Sequence, residues 1–154
     1  MSVHPFQPSV PLAADGEALS QVLQRARVGR SDLVRVVGPA GPTAMLWLAR
    51  NGFSGAVYAR AIGEGTRSEA ADALLVPHAC HRHELAALMG GAVAVREGGS
   101  LIVQTATRLP AEDPESVASL LRSRGFAIEQ TVTGKGRSIY IARREGLGGF
   151  RQAA

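Results

Sequence analysis

One stretch of seven residues holds most of the chain's reactive side chains. His78-Ala79-Cys80-His81-Arg82-His83-Glu84 carries three imidazoles, a carboxylate and the only thiol. An imidazole titrates near neutral pH, so His78 and His81 are candidate general acid–base groups. Imidazole and thiolate together also suit zinc. The spacing matches no standard zinc pattern, and His4 is the only other histidine, so no metal ligand set is assigned. The plainer alternative is a solvated loop running into a helix N-terminus.

Three further constellations could bind. Gly38-Pro39-Ala40-Gly41-Pro42 joins an apolar run to a helical pattern. At such a turn the N–H groups of the helix N-terminus can hold an anionic or polar ligand, with Gly38 and Gly41 lining it. The alternative is that glycine and proline simply make the turn sharp. Arg60 follows a second apolar run, where an arginine can receive a 2′-phosphate; otherwise it is an exposed arginine. Arg122, Arg124, Lys135, Arg137, Arg143 and Arg144 face only Glu129 and Glu145 nearby. They could meet phosphate backbones. No aromatic interleaves them, so base stacking is not indicated, and a solvated basic face is the favoured reading.

The elements that must position these groups alternate. Asp15 opens a helical pattern with Leu19, Val22, Leu23 and Ala26 on one face, and Gly29 suits its stop. Leu33 to Val37 reads as a buried strand, Thr43 to Arg50 as a helix ended by Asn51-Gly52, and Phe53 to Ala59 as a second strand. Strand, glycine turn, helix and strand open a parallel βαβ unit. Ala73 to Val76 is a third strand, followed by the histidine cluster and a helix over Glu84 to Val95. Glu97-Gly98-Gly99 reads as a turn before a fourth strand, Ser100 to Thr105. Asp113-Pro114 starts a helix stopped by Gly125. Phe126 to Val132 and Ser138 to Ala142 pair as an antiparallel hairpin around Gly134-Lys135-Gly136. The expected architecture is a three-layer α/β domain, its mostly parallel Rossmann-like sheet ending in an antiparallel hairpin. It spans residues 14–144, between an extended, proline-bearing arm at 1–13 and a flexible tail at 145–154.

Bulk properties agree. A chain of 154 residues fits one domain and can bury about two-thirds of its unfolded surface. Hydrophobic residues make up 45% but aromatics only 5%, so the core must rest on Val, Leu, Ile and Ala. The net charge of +4 is nearly all arginine, which leaves nucleic acid as a partner class without favouring it. A single cysteine excludes an internal disulfide. Met1 to Pro11 has no basic start followed by an apolar run, so it does not read as a secretory signal. No stretch reaches about 18 apolar residues, so no membrane helix is expected and a cytoplasmic location is.

The order of elements over roughly residues 15 to 143 resembles the class I S-adenosylmethionine-dependent methyltransferase family. Leu23 through Val34 resembles the helix and lead-in that precede its first strand. Arg96-Glu97-Gly98-Gly99-Ser100-Leu101-Ile102-Val103 resembles its L-x-P-G-G-x-L-v turn into a strand, and Arg124-Gly125-Phe126 its Gly-Phe approach to the penultimate strand. The resemblance implies S-adenosylmethionine held by Gly38 and Gly41 after the first strand and by Ala59 and Arg60 after the second. It places His78 and His81 near a substrate. The chain departs from the family where the cofactor is held. Val36 stands at the position of the first acid, Ala40 and Pro42 replace two glycines, and Tyr58-Ala59-Arg60 offers no acid for the ribose. About a dozen residues separate the second strand from Asp72. A helix, a strand and another helix need far more, so the family's third strand is expected to be missing.

The sequence is therefore read as a shortened, degenerate methyltransferase-like domain acting as a non-catalytic binding or regulatory module. The alternatives are a compact methyltransferase using S-adenosylmethionine and a nucleic-acid-associated protein with an arginine-rich face. A protein partner is expected. The alternative is a homodimer, because loss of an edge strand exposes the next one.

Overall fold

The computed structural model describes residues 12–38, 40–59, 71–80, 85–86, 95–106, 114–134 and 137–146. A 3-10 turn, Leu12–Ala14, leads into helix α1, Gly16–Arg25. The Asp15 carboxylate caps α1 by accepting the Ala18 N–H at 3.1 Å. Ala18, Leu19, Val22 and Leu23 form its buried face. The helix ends with Val28 N–H on the Leu23 carbonyl at 2.9 Å and Arg27 N–H on that of Gln24 at 3.0 Å. This paired closure needs a left-handed residue, normally glycine; here Arg27 takes it, with φ 59°.

Strand β1, Val34–Val37, passes through the glycine turn into α2, Gly41–Arg50, and on to β2, Ala56–Ala59. Helix α2 starts two residues before the expected Thr43, because Pro42 sits in the first turn, where its fixed φ suits a helix. Strands β3, Ala71–Cys80, and β4, Val95–Ala106, follow. Then come α3, Pro114–Ser123, β5, Phe126–Gly134, and β6, Arg137–Arg144. The sheet order is β2-β1-β3-β4-β6-β5. Neighbours among β1 to β4 pair parallel, and β6 runs antiparallel to both β4 and β5. No strand lies outside β2 among the described residues, and residues 60–70, between β2 and β3, lie outside them.

Helices cover both faces. Leu19, Val22 and Leu23 of α1 and Ala44 and Leu48 of α2 pack on Val34, Val36, Leu75, Ile102, Ile139 and Ile141. On the opposite face Val117, Leu120 and Leu121 of α3 meet Leu74, Val76, Leu101, Val103 and Phe126. The core is mostly aliphatic, with Phe53, Phe126 and Tyr140 as its buried aromatics among the described residues.

Further boundaries differ from the expectation. Strand β3 does not stop at Val76 but continues to Cys80, so Pro77 and His78 belong to it rather than following it. They occupy an irregularity between the Val76↔Val103 and Ala79↔Gln104 pairs. A proline cannot donate to the ladder, and a bulge absorbs it. Strand β4 already begins at Val95, so Glu97-Gly98-Gly99 is an irregularity inside it, not a turn before it. Gly98 supplies the positive φ of 78°. The helix expected over Glu84 to Val95 therefore ends earlier, and only Leu85 and Ala86 of it are described. Finally, Leu12 is not part of an extended arm. It is buried in the core, and residues 1–11 lie outside the described residues.

At the end where the parallel strands begin, Asp72 ties three of them together. Its carboxylate accepts the Leu33 N–H at 2.8 Å and the Arg96 guanidinium at 2.6 Å. These bonds, the Leu33 one foremost, hold the Asp72 carboxyl below the ordinary carboxylate value. A carboxyl with a lowered folded pKa stabilises the fold above its unfolded pKa of about 3.9, and that contribution fades as pH falls through the folded value. Asp72→Asn is therefore expected to lower stability at neutral pH, with the gap to wild type closing in strong acid. Denaturant melts across that range check it; a gap independent of pH would refute the role. Arg27→Gly should raise stability by roughly 0.5–1 kcal/mol, since it relieves a left-handed non-glycine residue. The lost pair with Glu129 is mostly exposed on the Arg27 side and offsets little of this.

Candidate functional site

In an open parallel sheet, ligands bind beyond the carboxyl ends of the strands, where the strand order reverses. Here the chain goes from β1 to β2 on one side and returns to β3 on the other, so the reversal lies between β1 and β3. The glycine turn after β1 lies on one side of this reversal and the β3 bulge on the other. The pair Val36↔Leu75 sets Gly38 level with Pro77.

The turn is tightly self-bonded. Gly38 has φ 101°, open to glycine and strained for other residues. Its carbonyl accepts the Gly41 N–H at 3.0 Å and the Tyr58 hydroxyl at 3.2 Å. Tyr58 reaches across from β2 and lays its ring over the start of α2. A Cβ on Gly41 would run into Cε1 and Cδ1 of that ring. Gly41 thus does the work of a helix–strand packing glycine, and its N–H is spent inside the turn. Tyr58 remains 38% exposed, so the outer part of its ring is a surface of the turn.

Of the residues singled out in the sequence, the structure brings Gly38, Gly41 and Ala59 to one edge, with Ala59 opposite Val37 at the end of β2. His78 lies in β3 on the other side of the reversal, within the bulge. Its side chain is outside the described residues, as are Arg60 and His81 altogether. No group of three potential metal ligands occurs among the described residues.

The basic C-terminal region is largely turned to internal use. Arg143 bonds Glu129 at 3.2 Å and the Gly98 carbonyl at 2.6 Å, and Arg144 bonds the Val95 carbonyl. Arg27 adds a second contact to Glu129 at 3.3 Å. Arg122 and Arg124 are also engaged. Lys135 is outside the described residues.

Two residues of the site and its surroundings escape sequence reasoning. Tyr58 enters it only as a residue without a carboxylate; its signal is a bulky ring in an otherwise small strand facing a glycine turn. Gln104 is fully buried, and its Oε1 accepts the Leu12 N–H at 2.8 Å, 92 residues away in sequence. Its signal is a lone amide closing the apolar run Leu101-Ile102-Val103, since a buried amide needs a partner. The bond seats the turn Leu12–Ala14 against α2 and β3.

No family model matches the chain, and no curated protein matches its sequence. Solved structures do match its fold. Ribosomal protein L11 methylase from Lactobacillus delbrueckii subsp. bulgaricus superposes with a TM-score of 0.60 at 13% identity, over 85% of this chain and 79% of that one. An O-methyltransferase family protein from Burkholderia thailandensis gives 0.53 at 18% identity over 90% of this chain. The chain spans only 54% of that protein's length. The [4+2]-cyclase SpnF gives 0.56 at 14% identity, over 92% of this chain and 86% of that one. The chain is thus similar in fold to methyltransferases, and similar to the same degree to a protein named for another reaction. No described helix is long and apolar enough to cross a membrane.

The Gly41–Tyr58 packing is directly testable. Gly41→Ala should destabilise the fold by about 1–3 kcal/mol, as overpacking does. Tyr58→Ala in the same chain should recover much of that loss, giving a coupling energy in a double-mutant cycle. Strictly additive effects would show that ring and glycine do not meet.

Proposed function

We propose that this chain is a methyltransferase-fold domain that no longer transfers methyl groups and serves as a binding module. The observation that carries the reading is Tyr58. A nucleoside cofactor held on a glycine turn needs close backbone approach beside the end of the second strand. Here the protein's own tyrosine takes that approach, with its ring against Gly41 and its hydroxyl on the Gly38 carbonyl. The strand ends add to the case, because Val36 and Val37 close β1 and Tyr58 and Ala59 close β2, leaving no carboxylate for either end of the cofactor. The residues present do not fit S-adenosylmethionine in the manner the family resemblance implies. Fold similarity does not weigh against this, since function lives in sites grafted on folds.

A second reading, a compact methyltransferase, draws on the reversal between the Gly38 turn and the bulge that holds His78. The basic face is the weaker support for nucleic acid, because Arg143 and Arg144 are occupied within the fold.

Calorimetric titration of the full chain with S-adenosylmethionine and with S-adenosylhomocysteine separates the first two readings. The expected outcome is no binding heat up to millimolar ligand. Micromolar binding that is lost on Gly38→Leu, in a variant whose melting transition is still cooperative, would overturn the module and restore the enzyme.

A further inference from the structure

The two edges of the sheet are built differently. Strand β5, at one edge, carries the devices that discourage strand pairing. Its register breaks between Ile128 and Gln130. The residue in that break, Glu129, is charged and bonds Arg27 and Arg143. Exposed Gln130, Thr131 and Thr133 complete a polar margin. Strand β2, at the other edge, has none of these. Ala56-Val57-Tyr58-Ala59 is unbroken in its register with β1 and carries no charge and no proline. Val57 is 42% exposed and Tyr58 38%, and with Leu46 on neighbouring α2 they are the exposed large hydrophobics among the described residues.

The backbone of β2 points the same way. Val34 N–H donates to the Gly55 carbonyl, so residues 55, 57 and 59 turn their peptide groups toward β1. Ala56 and Tyr58 turn theirs outward. The Ala56 N–H is taken by the Phe53 carbonyl at 3.4 Å. The Ala56 carbonyl and both groups of Tyr58 have no partner among the described residues.

We propose that β2 pairs with β2 of a second copy of this chain, antiparallel about a two-fold axis, to make one continuous sheet across a homodimer. Charge selects the occupant. The chain has a net charge of +4, so self-association is least opposed where the surface carries no charge. From Gly52 to Ala59 there is no charge, so two copies meet here without like-charge contact. A charged partner peptide, by contrast, would find no counter-charge along this strand. With the axis at Val57, each Tyr58 N–H donates to the other copy's Ala56 carbonyl, while the Ala56 N–H stays on the Phe53 carbonyl of its own chain. The two Val57 residues then form a non-hydrogen-bonded pair about 4.5 Å apart at Cα. A four-residue strand pair is smaller than a standard stable interface, so the dimer is weak and concentration-dependent.

The full chain is weighed by light scattering and sedimentation from low micromolar to hundreds of micromolar concentration. Its mass is expected to rise from one copy toward two. Val57→Lys should hold it at one copy while leaving the melting transition intact, because the side chain sits at an exposed edge. In a Cys80→Ala background, Val57→Cys should form an intermolecular disulfide under mild oxidation, and Thr131→Cys on β5 should not. A monomeric mass at every concentration, or equal cross-linking at both edges, overturns the proposal. So does a dimer that survives Val57→Lys.

Discussion

Val34–Val37 is buried along its whole length, and that burial governs the rest of the molecule. A strand with no access to water must find every hydrogen bond within the sheet. It therefore needs a neighbour on each side, and β2 and β3 supply them in parallel. Parallel neighbours in turn require crossovers, and α2 is the one between β1 and β2; it shares its face with α1, while α3 covers the other. The same burial fixes where the chain emerges. Directly after Val37 it must leave the sheet, and Gly38 with its positive φ is how it turns into α2. Asp72 holds the opposite end of the strand through the Leu33 N–H, so β1 is pinned at both ends and the glycine turn has little freedom to move.

Much of this is legible in the sequence because it is local. Asp15 before an apolar face, Asn51-Gly52 after α2, and Gly125 after α3 act within a few residues of where they stand. The antiparallel hairpin and the shortage of residues between β2 and β3 are likewise readable from spacing. What cannot be read depends on residues that meet across elements. The ring of Tyr58 over Gly41 joins β2 to α2, and no periodicity encodes it. The continuation of β3 through Pro77 runs against the usual meaning of a proline, and only β4 alongside reveals the bulge. Arg27 reverses the local rule that a helix closes on glycine, because the two carbonyls of Gln24 and Leu23 are satisfied all the same. Leu12 reads as part of a proline-bearing arm, and only its distant amide partner Gln104 draws it into the core.

The candidate site is legible in place more than in content. The alternation of strands and helices is enough to put Gly38 and His78 at one edge of the sheet. The use of that edge rests on one side chain. Tyr58 couples the turn, the helix and the edge strand, so a change at the site is felt as a change in packing.

The position of β6 has a consequence for how the chain is made. The last strand among the described residues is an interior one, lying between β4 and β5. Ile139, Tyr140 and Ile141 fill the core on both sides of the sheet from there. While the ribosome is still adding these residues, β5 has no neighbour to pair with and β4 has an open side. The domain cannot close progressively from its start; it must wait for its end. Until β6 has emerged, the nascent domain exposes unsatisfied strands, and protection by chaperones matters most in that interval.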